Sequence, residues 1–208
     1  MLITRIEPGR NKRYRIYGDN TFLFALYAKE LKRYRIEEDA ELPDSVISSI
    51  TEDVIYKRAK ERALYLLERG PLTVSMLRSK LRGNDYTDEV IARTIQFLEK
   101  YHYLDDGNYI RMYVETYGIK KSKKQMIYEL LHKGIDKNQI SAYFDEHEYS
   151  EQTCLLRQFD KYTRGKDLES PQVRQKVYRY FYGKGFDIAL IDSVWKMYLT
   201  YCTKKDKI

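Results

Sequence analysis

The chain has 208 residues, 43% hydrophobic and 33% charged, with a net charge of +7 and a pI near 9.1. That balance fits a folded protein with much surface and favours an anionic partner. It excludes a membrane-spanning class, because nowhere do about twenty apolar residues run together. The cationic excess lies mainly at the far end, where residues 151–208 carry twelve Lys and Arg against seven Asp and Glu. Cys154 and Cys202 form no CxxC and no metal-ligand spacing, as expected of reduced thiols in a cytoplasmic protein. The opening ten residues lack the apolar run of a signal peptide.

Residues 2–7, 12–18 and 21–27 read as short strands. Their apolar positions are Leu2, Ile3 and Ile6, then Tyr14 and Ile16, then Phe22 and Phe24. Gly18-Asp19-Asn20 is the expected hairpin turn, since Gly and Asn tolerate positive φ. A helical turn or two follows over 27–35. Strands this short do not hold together alone, so residues 1–42 are expected to form a β cap against the next helix. That helix is predicted from about Asp44 to Glu68, with Val54, Ile55, Ala59, Ala63, Leu66 and Leu67 on one stripe. Gly70-Pro71 ends it, because proline removes a donor and restricts the residue before it.

From Thr73 onward one pattern recurs: a short helix, a tight turn and a second helix. Its apolar positions are Leu77, Leu81, Tyr86, Ile91 and Ile95. They recur as Met126, Leu130, Ile135, Ile140 and Phe144, and again as Val177, Phe181, Phe186, Ile191 and Trp195. A period of roughly fifty residues is that of helical repeat arrays. The expected fold is mainly α: an elongated array of three tandem three-helix, helix-turn-helix-like repeats behind the N-terminal β cap. The repeats are assigned to 43–106, 107–149 and 150–208. Ser122 to Gln125 has capping-box spacing, and Ser170-Pro171 offers a cap followed by proline at the first helical position. Gly83, Gly134 and Gly185 are expected to close the turns in the left-handed conformation.

Reactive chemistry finds little support. Asp105-Asp106 reads better as a helix cap than as a metal site. His102, His132 and His147 are scattered, and no HExxH, P-loop, GxGxxG or GxSxG occurs. No catalytic, cofactor-binding or metal-binding residue is assigned, and no enzymatic activity or cofactor is expected. Most of the 21 tyrosines are assigned to core or half-buried positions, with base stacking at a minority. The basic clusters carry more. Arg78, Lys80 and Arg82 lie on the second helix of repeat one. Lys120, Lys121, Lys123 and Lys124 surround the start of its counterpart in repeat two. Arg174, Lys176 and Arg179 lie on the counterpart in repeat three, with Lys184 in its turn. Lysines at a helix N-terminus oppose the helix dipole, so an anion docked near Ser122 would relieve them. These residues are the candidate contacts to nucleic acid or an acidic protein.

Several of these stretches resemble the bacterial RecX regulatory proteins, modulators of the RecA recombinase. The likeness rests on Leu77-Arg78-Ser79-Lys80-Leu81 with Tyr86 and Val90-Ile91, then on Tyr103-Leu104-Asp105-Asp106 with Tyr109. It ends on Leu130-Leu131-His132-Lys133-Gly134-Ile135-Asp136. Gly70-Pro71-Leu72-Thr73 and Gly83-Asn84-Asp85-Tyr86 depart from the common pattern. The resemblance implies a DNA-repair and recombination regulator of the SOS response. Such a protein binds RecA and its filament on DNA, lies in the filament groove, and inhibits ATPase and strand exchange. It also implies nonspecific contact with single- and double-stranded DNA. We expect a cytoplasmic monomer without a membrane segment. The competing reading is a helix-turn-helix transcription regulator that binds duplex DNA by sequence.

Overall fold

The computed structural model describes the backbone of residues 1–205 and the side chains of residues 1–200, so Cys202 lies outside the described side chains. The chain is mostly helical, with one small antiparallel sheet at its start, and divides into two compact units, 1–106 and 107–208.

Unit 1 opens with β1 (Ile3–Pro8), β2 (Arg13–Gly18) and β3 (Thr21–Tyr27), a meander in the order β1-β2-β3. Ile6 pairs with Ile16, and Ile16 with Phe24, which places alternate apolar residues on one face. The β2–β3 turn puts Asp19 at φ 46° and Asn20 at φ 63°, the geometry of a two-residue hairpin. Gly18 stays in the strand, contrary to its expected part in the turn. Its role is space: a Cβ there would meet Met1 Sδ at 2.5 Å and Leu23 Cδ1 at 2.8 Å.

A short helix α1 (Ala28–Tyr34) leads to α2 (Asp44–Ile50), a π-helical stretch Thr51–Tyr56, and α3 (Lys57–Glu68). The sequence predicts one continuous helix here and does not register the π stretch. It begins where Thr51 Oγ1 donates to the carbonyl of Ile47 at 2.9 Å, the kind of side-chain intrusion that disturbs a helical ladder. Ile3, Ile16, Phe24 and Leu26 of the sheet share a core with Ile50, Ile55, Ala59 and Ala63 of this helix. The helices α4 (Val74–Arg82) and α5 (Asp88–Lys100) complete that core through Leu77, Leu81, Ile91 and Ile95.

Unit 2 contains α6 (Asp106–Tyr117, whose first residue belongs to unit 1), α7 (Lys123–His132) and α8 (Lys137–Glu146). It continues with α9 (Glu151–Thr163), α10 (Pro171–Gly183) and α11 (Ile188–Lys205). Among the described residues its buried apolar side chains form two clusters. One is built on Tyr109, Ile110, Met126, Leu130, Ile140 and Phe144, and the other on Leu155, Phe159, Val177, Phe181, Ile191 and Trp195. Tyr149 packs against both. Every position of the threefold stripe is buried, because one face of each short helix has nowhere else to hide its apolar area.

The turns correct one expectation. Gly134 and Gly185 are left-handed, at φ 78° and 87°, but Gly83 is right-handed at φ −64°. The left-handed residue of the first turn is Asp85, at φ 57°, in register with the two glycines. Its carboxylate explains the exchange. Arg15 Nε and Nη2 donate to Asp85 Oδ1 at 2.9 and 2.6 Å, and Arg13 Nη2 lies 3.9 Å from Oδ2. Arg13 is only 4% exposed and Asp85 8%. Arg13 Nη2 also donates to the carbonyl of Asn84 at 2.8 Å, and Arg10 Nη1 to that of Gly83 at 2.5 Å. The β cap therefore docks on the α4–α5 turn as well as on the long helix.

Candidate nucleic-acid interface

The second helix of each three-helix unit was expected to carry the binding cations, so its start matters most. Thr73 caps α4 by accepting from Met76 N at 3.1 Å, and Ser122 caps α7 by accepting from Gln125 N at 3.1 Å. In both helices the first backbone N–H is taken by a carboxylate at the first residue of a later helix, in the same compact unit or at its boundary residue. Val74 N donates to Asp106 Oδ1 and Lys123 N to Glu151 Oε1, each at 2.9 Å. These two acids answer the donors that a helix start leaves open. The sequence assigns the Asp105-Asp106 pair to the start of the next helix, and α6 does begin at Asp106. That Asp106 also serves α4, and that Glu151 serves α7, no local pattern shows, because each partner lies some thirty residues away. Burial pushes the Asp106 carboxyl above its ordinary range, against the Val74 hydrogen bond.

Two further expectations about helix starts need correction. The reciprocal half of the capping box at Ser122 is not made. Gln125 Nε2 instead donates to Glu129 Oε1 at 3.3 Å, while Ser122 Oγ donates to the carbonyl of Lys184 at 2.7 Å. Ser170 makes no side-chain cap bond, although Pro171 does occupy the first turn. The lysines around Ser122 also need no outside anion to offset the dipole, since Glu151 sits there.

The eleven candidate cations divide into those engaged within the fold and those left open. Lys121 turns inward to Glu129, lies 2.9 Å from Tyr113 Oη, and covers the Tyr117 ring at 4.2 Å. Arg82 pairs with Asp88 at 2.6 Å and Arg174 with Asp192 at 3.3 Å. Lys184 Nζ donates to Gln158 Oε1 at 3.0 Å, a neutral partner. Lys123 places its ammonium 5.1 Å from the Phe144 ring centre. Lys80, Lys120, Lys124, Lys176 and Arg179 are exposed and Arg78 half-exposed, none of them ion-paired to another described residue. The open cations share equivalent helices but not equivalent registers. Lys80 lies three residues after Leu77, Lys124 two before Met126, and Arg179 two after Val177.

Two tyrosines escaped the sequence reading. Tyr128 on α7 and Tyr182 on α10 are 62% and 61% exposed. Their spacing was the available signal, because neither falls on the apolar stripe of its helix. The histidines stay apart, and among the described residues no three His, Cys, Asp or Glu side chains gather as metal ligands. No described helix is long and apolar enough to cross a membrane.

A three-strand cap followed by three-helix units with cationic second helices defines a helical-repeat protein. Family models describe two of these units. Residues 59–98 match the first three-helix domain of RecX, and residues 150–195 match its third. The chain is 28% identical over 196 residues to the regulatory protein RecX of Caldanaerobacter subterraneus subsp. tengcongensis, covering 93% of this chain and 98% of that one. It is 26% identical over 203 residues to the RecX of Clostridium acetobutylicum, covering 93% and 94%. A crystal structure of a regulatory protein RecX superposes with a TM-score of 0.61 at 23% identity, over 93% of this chain and 98% of that one. The RecX structure from Lactobacillus salivarius gives 0.62 at 24% identity, over 68% and 95%. These matches, spread over most of the chain, support its placement in the RecX family of regulatory proteins.

Proposed function

We propose that this protein regulates by binding rather than by catalysis, engaging the RecA recombinase and its filament on DNA and lowering ATPase and strand-exchange activity. The observation that carries the reading is the set of open cations, Lys80, Lys120, Lys124, Lys176 and Arg179, on or beside the second helix of successive three-helix units. Their charge has no partner among the described residues and offers nonspecific attraction to phosphates. Linked units contacting adjacent filament subunits raise one another's effective concentration. The protein acts as a cytoplasmic monomer, in the compartment that holds RecA and DNA.

The test is RecA's DNA-dependent ATPase with and without the full chain. Inhibition that weakens as salt rises supports the proposal. If about four phosphates of a single strand are neutralised, log affinity falls against log salt with a slope near −3. Unchanged ATPase together with protection of one defined duplex sequence would instead establish the transcription-regulator reading.

A further inference from the structure

The geometry points to a groove in unit 2 that takes unpaired nucleotides, stacking bases on Tyr128 and Tyr182 while lysines hold the adjoining phosphates. This rests on the nucleic-acid reading above and names the strand form selected. The groove runs between α7 and the α10–α11 turn. Lys124, Gln125, Tyr128 and Glu129 form one wall and Tyr182 to Gly185 the other, enclosing about 470 Å³. An adjoining hollow shares Lys124, Tyr182 and Gly185 and adds Lys123, Ile127 and Phe186.

Three features suit a base. Tyr128 and Tyr182 leave most of their area in water at 62% and 61% exposure. The edge-on ring of His132, 4.4 Å from that of Tyr128 centre to centre, supports this side chain. The Gly183-Lys184-Gly185 segment keeps one wall low, and a Cβ at Gly183 would meet nothing within 4 Å. Stacking on an open aromatic face needs this kind of access, and every base has a π-face to offer.

Charge favours a polyanion over an apolar helix. The acids lining the groove are already engaged. Glu129 is bound by Lys121 and Tyr113, Glu151 accepts from Lys123 N, and Asp187 Oδ1 accepts from Ala189 N at 2.8 Å. Lys124 has no carboxylate among the described residues, and Lys184 meets the neutral Gln158 amide and the Tyr180 ring rather than an acid. Paired duplex hides its base faces, so a groove of this kind distinguishes single strands from duplex without reading sequence.

The experiment is anisotropy titration of the full chain at fixed salt with three labelled probes of about twenty nucleotides: oligothymidylate, the same backbone carrying abasic sugars, and duplex. Oligothymidylate should bind roughly tenfold tighter than the abasic strand. Tyr128→Ala with Tyr182→Ala should erase that difference, while Tyr→Phe at both should keep it. Circular dichroism should be unchanged, since both rings lie outside the core. Lys124→Gln should weaken all probes alike. Equal binding of abasic and normal strands, or full retention by the double alanine variant, overturns the groove while leaving RecA inhibition intact. Displacement of oligothymidylate by polyglutamate at equal charge concentration also overturns it, marking the site as an acidic-peptide surface. Loss of RecA inhibition with stacking retained would sink the regulatory reading instead.

Discussion

In unit 2 the left-handed residue of the α7–α8 and α10–α11 turns is glycine, whereas in unit 1 the same position holds Asp85. A Cβ in that region costs about 1–2 kcal/mol, and unit 1 offsets the strain with a buried ion pair that fastens the β cap. Gly185 has no such freedom, because a Cβ there would approach Ser122 Oγ to 2.9 Å and Lys124 Cβ to 3.3 Å. The comparison teaches that a repeat position can keep its backbone shape while its side chain is recruited by whatever packs against it.

The strongest way to break this comparison is Asp85→Ala. It strands the Arg13 guanidinium, buried beside it, and should cost about 3 kcal/mol in a denaturant titration of the full chain. Asp85→Gly should lose about 1 kcal/mol less, since it removes the strain while still losing the ion pair. A glycine variant more stable than the parent would mean that the arginines are not what holds the turn.

Gly185→Ala should destabilise by about 1–3 kcal/mol through φ and contact together. Gly83→Ala, at a right-handed position, should stay within about 0.5 kcal/mol. Equal costs at both sites would erase the distinction between the turns. Ser122→Ala should cost about 1 kcal/mol by removing the α7 cap, with the Lys184 carbonyl also losing its donor.

The smallest effect concerns the paired acids at the starts of α4 and α7. Asp106 titrates above its ordinary value of 3.8 in the folded chain because burial disfavours its charge. The folded state therefore holds this proton more tightly than the unfolded state. The resulting stabilisation is full below pH 3.8 and is lost as pH rises through the elevated value. Asp106→Asn keeps an acceptor for Val74 N and should flatten that part of the pH–stability curve; an unchanged curve would refute the assignment.

The threefold stripe was legible because burial demands volume at fixed spacing, and Leu81, Leu130 and Phe181 answer one another in sequence and in the core alike. The cap strands were legible from alternation. What escaped were contacts between residues far apart in sequence. Arg15 with Asp85, Asp106 with Val74 N and Glu151 with Lys123 N each join positions that no local pattern connects. The same gap affected the candidate interface: composition located the cations, but only tertiary structure separated inward Lys121 from open Lys124.

The most direct measurement is RecA's DNA-dependent ATPase with the parent chain and with a variant carrying Lys80→Gln, Lys124→Gln and Arg179→Gln. Inhibition by the parent that falls at least severalfold in the variant, with the two curves converging at high salt, is the expected result. A variant of unchanged fold that inhibits as strongly as the parent at every salt concentration would contradict it.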